Sequence, residues 1–308
     1  MIIDLEYKIG KRLDGHLVKS VLRNELKLSS RYVKKLKYSS RILLNNSPVH
    51  VNVKVKEGDI LKTEMDIDEE HDSIIPEEGP LEILFEDEFI LALNKPTDMV
   101  VHPTYLHSDG TLANFVMNYY NKNNIKTKIR PVNRIDRDTT GVVIFAKKQF
   151  IQDALVKQMI KDTFVKEYLG IVCGIVKEDT GVINLPIARA KGSIITREVS
   201  ENGDPSITRF SVVERLDDAT LLKFILETGR THQIRVHCLA SGFPLIGDTL
   251  YGRKRTFMIN RQALHSFNTS FIHPVTGNFI NINAPIPHDF AQLYTLLTNG
   301  KNISSIII

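Results

Sequence analysis

Apolar residues fall in two patterns along this chain. From Lys11 to Asp66 they come first at helical spacing, at Leu17, Val18, Val21, Leu22 and Leu26. Ser29-Ser30 offers a helix cap before Val33 and Leu36. Ile42-Leu43-Leu44, an Asn45-to-Pro48 turn and alternating Val49, Val51, Val53 and Val55 then predict a half-buried hairpin. Residues 67–80 hold few core formers, are acidic and end in Pro80, as a linker does.

Beyond the linker the pattern predicts a larger domain over residues 81–290 and a tail over 291–308. Leu81 to Phe85 and Phe89 to Leu93 read as strands, and Thr111 to Tyr120 as a helix. Val142 to Ala146 is an apolar, β-rich run of the kind buried on both faces. Gln149 to Lys161 reads as an amphipathic helix and Phe164 to Val172 as an alternating strand. Ile187 to Glu201 is polar and small, and reads as a mobile loop. Ser206 to Val213 and Ala219 to Leu226 read as a strand pair. Ile234, Val236 and Leu239 are expected to face the core, with Arg235 pointing the other way. A helix is expected from His288, before the apolar end Ile306-Ile307-Ile308.

Charge adds to this division. The 308-residue chain carries a net charge of only +4. Residues 1–64 hold 14 Lys+Arg against 7 Asp+Glu, whereas residues 65–88 hold 11 acidic residues and no Lys or Arg. A basic module ahead of an acidic connector suggests a nucleic-acid-binding arm. No apolar run approaches the ~20 residues that span a bilayer. The N-terminus lacks a signal-peptide pattern, so a cytoplasmic location and no membrane partner are expected. Cys173 and Cys238 lie in apolar sequence and read as buried reduced thiols. Nothing in the composition sets oligomeric state; a monomer is the default.

The chemistry concentrates at Pro131 to Lys148, where a polar turn with two arginines and two aspartates runs into the apolar strand. Gly141 lets the chain bend there. Arginines beside a carboxylate favour its charged form. The segment Asn133-Arg134-Ile135-Asp136-Arg137-Asp138-Thr139-Thr140-Gly141 resembles the His-Arg-Leu-Asp-x-x-Thr-Ser-Gly signature of the RluA/RluD family of RNA pseudouridine synthases. Asn133 stands where that signature has histidine. Asn94 to Pro103 resembles the family's Asn-Lys-Pro-x-Gly-x-x-Val-His-Pro motif, with Asp98 in place of glycine, and is expected to shape the floor of the site. Lys166-Glu167-Tyr168 resembles its Lys-x-Tyr motif, and Gly229 to His237 its Gly-Arg-Thr-His-Gln-Ile-Arg-Val-His motif. Leu245 to Gly252 and Arg261 to Ser266 resemble further family segments.

The resemblance implies an α+β fold with a mixed, mainly antiparallel sheet. It implies isomerisation of uridine in structured RNA to pseudouridine, which needs no cofactor. Asp136 would be the catalytic aspartate, either attacking the sugar or abstracting its proton. Tyr168 would stack on the flipped base and Arg235 would pair with Asp136. Arg134 would enter the gap left in the RNA, and Leu264 would pack against the uracil. The front module, residues 11–66, resembles the small RNA-binding domain of ribosomal protein S-four, whose basic helix would here present Arg31, Lys34, Lys35 and Lys37 to phosphate. Ribosomal RNA is the preferred partner, with transfer RNA second. Two other classes remain: a non-catalytic RNA-binding or ribosome-assembly factor, and a hydrolase using Asp136 and Asp138 as paired carboxylates. His232 and His237 are five apart, which is not a helical metal pair, and no metal is expected.

Overall fold

The computed structural model describes residues 2–26, 28, 33, 36, 42–66, 74–104, 108–161, 163–252 and 259–303. Arg31, Lys34, Lys35 and Lys37, the expected phosphate contacts of the front module, lie outside the described residues, as does the apolar end from Ser304. No helix among the described residues is long and apolar enough to cross a membrane.

The front module is an antiparallel sheet of β1 (Ile2–Lys8), β2 (Ile42–Leu44), β3 (Ser47–Pro48) and β4 (Ile60–Asp66), ordered β1-β4-β2-β3. The sheet starts ahead of Lys11, because β1 pairs along its whole length with β4. Helix α1 (Val18–Asn24) packs Val18, Val21 and Leu22 against Ile42, Val55 and Leu61. The valine run is not the expected hairpin strand. Its alternate residues Val51 and Val55 are buried, but its carbonyls serve the helix instead. Val53 and Val51 accept from the amides of Val18 and Lys19, each at 2.9 Å. That satisfies two of the donors a helix N-terminus leaves open.

The second domain holds β5 (Ile83–Glu86), β6 (Ile90–Lys95), β7 (Thr140–Ala146), β8 (Val165–Cys173) and β9 (Thr180–Asn184). A two-stranded hairpin, β10 (Ile187–Arg189) with β11 (Arg197–Val199), follows. Then come β12 (Ile207–Arg215), β13 (Ala219–Leu226), β14 (Leu264–Ile272) and β15 (Phe279–Asn283). The main sheet runs β5-β6-β7-β14-β8-β13-β12-β9, with β15 on β14. Its pairings are antiparallel except β7 with β14. All seven residues of β7 are buried. Val143 and Phe145 enter one core, and Val142, Ile144 and Ala146 the core on the opposite face. That is why the strand reads as continuously apolar.

Helices α2 (Leu112–Lys122), α3 (Gln149–Ile160), α4 (Gln233–Ala240) and α5 (His288–Leu297) pack on this sheet. Thr111 caps α2 in a reciprocal capping box with Asn114. The last helix belongs to the domain core: Phe290, Leu293 and Tyr294 pack with Leu169, Ile171 and Leu221. A boundary at residue 290 therefore falls inside α5.

Three further expectations change. Ile187 to Glu201 is a hairpin with a loop, seated on α4 where Ile187 packs with Val236 and Tyr251. The segment around Arg235 is a helix, so in–out alternation does not apply, and Arg235 is buried beside Ile234 and Val236. Cys238 is buried, but Cys173, at the end of β8, is exposed.

Candidate active site

Residues 130–133 are zipped onto β7. The amides of Val132 and Ala146 donate to the carbonyls of Ile144 and Arg130 at 2.7 and 2.9 Å. Asn133 continues the ladder with its side chain. Its amide nitrogen donates to the Val142 carbonyl at 3.0 Å, and its amide oxygen accepts from the Ile144 amide at 2.8 Å. The residue in the usual histidine position is thus a backbone clamp. The chain between this clamp and β7 bulges out as residues 134–139, closed by the Thr139 amide on the Asp136 carbonyl at 3.1 Å. It re-enters the sheet at Gly141, where φ is +113°. A Cβ there would lie 2.1 Å from the Ser266 carbonyl oxygen on β14, so only glycine fits.

Two buried cations hold the bulge from behind. Lys95 Nζ donates to the carbonyls of Pro96, Met99 and Arg137 at 2.7–2.8 Å. Burial pulls its pKa down to about 7. Three acceptors nevertheless require three N–H bonds, which only the ammonium form has. Arg261 donates to the carbonyls of Asp138 and Leu264 at 3.2 and 3.1 Å and forks onto Asp289. In the Asn-Lys-Pro loop, Asp98 has φ +56°, the left-handed geometry for which glycine is the usual choice.

Asp136 faces a cleft of ≈ 980 Å³. Among the described residues only Arg235 reaches its carboxylate, with Nη1 3.4 Å from Oδ2. Arg235 is held in turn by Asp248, a residue of the Leu245-to-Gly252 segment to which the sequence attaches no role. Asp248, 1% exposed, accepts from Arg235 Nε and Nη2 at 2.8 Å each, a bidentate fork. Asp248 Oδ1 also accepts from the amides of Leu250 and Tyr251, both at 3.1 Å. Burial opposes the charge on Arg235, but the Asp248 carboxylate outweighs it and leaves the arginine's pKa raised. The Tyr251 ring lies 5.0 Å from the guanidinium carbon. Tyr251 Oη accepts from the Arg197 amide at 2.8 Å and meets His232 Nδ1 at 2.7 Å. Burial lowers the His232 pKa, which fits a neutral ring accepting from that hydroxyl.

Tyr168 on β8 and Leu264 on β14 line the same cleft and are both nearly fully buried. Burial pushes the Tyr168 hydroxyl pKa up, so it stays neutral at ordinary pH. Arg134 is exposed at the cleft wall, and Ile194 and Ile195 overhang it from the β10–β11 loop. The structure thus brings together Asp136, Tyr168, Arg235, Arg134 and Leu264. It separates Asp138, which does not line the cleft and pairs with Arg137 at 3.3 Å. That weighs against two carboxylates acting as a pair. His237 donates and accepts within the fold, at Thr208 Oγ1 and the Leu185 carbonyl. No group of three or more His, Cys, Asp or Glu that could hold a metal occurs among the described residues.

The chain is similar to known proteins. The family model described as RNA pseudouridylate synthase matches residues 89–240. The protein named "Uncharacterized RNA pseudouridine synthase YhcT" of Bacillus subtilis (strain 168) is 39% identical over 295 residues, 94% of this chain and 96% of that one. "Ribosomal large subunit pseudouridine synthase D" of Pasteurella multocida (strain Pm70) is 36% identical over 272 residues, 81% of this chain and 83% of that one. The solved structure "Human RNA Pseudouridylate Synthase Domain Containing 1" superposes with a TM-score of 0.56 at 26% identity, covering 68% of this chain and 86% of that one.

Proposed function

The chain belongs to the RluD-like family of RNA pseudouridine synthases, and on that premise we propose that it isomerises specific uridines of large-subunit ribosomal RNA, with Asp136 as the catalytic carboxylate. The observation that carries the assignment of Asp136 is its geometry. One carboxylate oxygen is tied to Arg235, and the other is left without a protein partner among the described residues, at the cleft. The likeness to the ribosomal large subunit enzyme of Pasteurella multocida supports ribosomal RNA over transfer RNA.

The reaction breaks the bond between N1 of uracil and C1′ of ribose, turns the base and joins C5 to C1′, releasing the C5 proton. A stacked uridine hides C1′, so the nucleotide must leave the stack. The cleft is suited to receive it. Tyr168 offers an aromatic face to the base, Leu264 an apolar contact, and Asp136 acts on the sugar. Arg134, two residues ahead and exposed at the wall, fills the space the base vacates. Arg235 orients Asp136, and Asp248 fixes Arg235.

The test is pseudouridine mapping of total RNA by carbodiimide labelling and primer extension, in cells with and without this chain. A site in large-subunit ribosomal RNA should vanish with the gene, return with the wild type and stay absent with Asp136→Asn. A site restored by Asp136→Asn would move catalysis to another residue, and a site in transfer RNA would replace the substrate.

A further inference from the structure

Three lysines are buried among the described residues: Lys95, Lys147 and Lys166. Two are fully provided for. Lys95 donates to three carbonyls. Lys147 donates to Glu86 and to the Asp87 carbonyl, at 2.7 and 2.6 Å. Lys166 is 8% exposed, yet no side-chain hydrogen bond or ion pair reaches it among the described residues. Burial alone acts on its pKa, and lowers it. The side chain is largely withdrawn from water while its Nζ stays open to the cleft, so an anion arriving there would offset the desolvation of the charge.

The position of Lys166 says what that is. It lies on β8 two residues before Tyr168, so both side chains leave the same face of the strand. Both line the cleft. The Lys166 ammonium reaches toward the turn that leads into α4, since a Cβ on Gly229 would sit 3.6 Å from Nζ. Neither acid of the cleft wall pairs with Lys166 among the described residues: Asp136 meets Arg235 through one oxygen, and Glu227 pairs with Arg209. Neighbouring acids make other pairs too, as Glu167 does with Lys223 at 3.1 Å. The free cation therefore looks into a chamber built for a nucleotide, about two strand residues from the tyrosine, roughly 6.6 Å along β8.

We propose that Lys166 is a phosphate-binding residue of the active site, pairing its ammonium with the phosphodiester next to the uridine whose base rests on Tyr168. The proposal rests on the reading of the cleft as a uridine site. Phosphate is the anion that a polynucleotide necessarily brings within reach of a bound base, and a lysine binds it as a point charge. The contact would draw the backbone into the cleft and so contribute to flipping the target nucleotide.

The full chain can be tested with uridine 3′,5′-bisphosphate and uridine as probes, by calorimetry and by the NMR signal of Lys166 Cε in lysine-labelled protein. The bisphosphate is expected to bind more tightly than uridine and to move the Lys166 signal. In Lys166→Gln the bisphosphate should weaken by about tenfold to a hundredfold, the loss expected for one hydrogen bond between charged groups, while uridine is unchanged. Lys166→Arg should retain most of the difference. Equal bisphosphate affinity in wild type and Lys166→Gln, or an unmoved Lys166 signal at saturation, overturns the proposal. If Lys166→Gln does not fold, the NMR titration of the wild type and the arginine variant still decide it. Failure of the mapping experiment with a positive result here would remove the assigned reaction and leave the phosphate site standing.

Discussion

Asp248→Asn tests whether the orientation of Asp136 is set from behind. The aspartate is 1% exposed and accepts four hydrogen bonds: two from Arg235 and two from backbone amides. Asparagine keeps the shape but places a donor where an acceptor stood. One arm of the fork then opposes an N–H of the guanidinium, and the buried arginine keeps one neutral acceptor there and, as its only carboxylate contact, Asp136 at 3.4 Å. Stripping a buried charge of its partner costs roughly 3–5 kcal/mol. The surviving contact to Asp136 argues for the lower end, about 3 kcal/mol, or a fall in Tm on the order of 6–12 °C for a domain of this size. Activity should fall further than stability suggests, because Arg235 is no longer held in plane. A displacement on the order of 1 Å at the reacting group costs about a hundredfold in rate. Asp248 does not line the cleft, so the loss should appear in kcat and not in KM. Release of tritium from RNA labelled at uridine C5 measures it. The double variant Arg235→Leu/Asp248→Leu should recover stability, since apolar pairs often replace buried ion pairs without penalty, and should stay inactive. Wild-type Tm and kcat in Asp248→Asn would refute the reasoning.

Other outcomes follow from the same geometry. Gly141→Ala combines a left-handed φ with a Cβ 2.1 Å from the Ser266 carbonyl oxygen, and should cost on the order of 3 kcal/mol; an unchanged urea midpoint would mean β7 and β14 separate freely. Burial pulls His265 down to about 4, below its ordinary 6.5. The unfolded chain then binds the extra proton first, so stability is fully present above pH 6.5 and is lost as pH falls toward 4, by about 3 kcal/mol at most. Urea midpoints at pH 7 and 4.5 should show this loss in the wild type and less of it in His265→Gln; equal slopes would sink the idea. Removing residues 1–72 should weaken RNA binding and flatten its dependence on salt, because residues 1–64 within it hold 14 Lys+Arg against 7 Asp+Glu; filter binding across a salt series checks it, and an unchanged slope would release the module from that role.

Much of this molecule is legible in its residue order. Val142 to Ala146 announces a strand covered on both faces, and Thr111 announces the start of α2. Asp136, Tyr168 and Arg235 sit in motifs specific enough to single them out from the sequence, and the structure brings all three to one cleft. What escapes depends on distant partners. Nothing local to Ile2–Lys8 says that it pairs with residues 60–66. The valine run alternates as a strand does, yet its carbonyls are taken by α1. The polar composition of Ile187 to Glu201 hides a hairpin anchored by Ile187, which packs with Val236 of α4. Asp248 is the sharpest case. Its Gly-Asp turn looks like ordinary loop chemistry, and only the fork onto Arg235 shows its role. A buried acid has meaning through its partner, and that partner is thirteen residues away on another element.

The position of β14 in the main sheet bears on how the enzyme is made. Tyr168 stands on β8 and Asp136 just ahead of β7, but these two strands are not neighbours; β14, residues 264–272, lies between them. A ribosome that has released only the first 250 or so residues has therefore emitted Asp136, Tyr168 and Arg235 without the piece that joins their two halves of the sheet. Such late, long-range closure slows folding and leaves strand edges open meanwhile. It also means that Asp136 and Tyr168 are not held together until β14 has been emitted. Competence waits on residues 264–272.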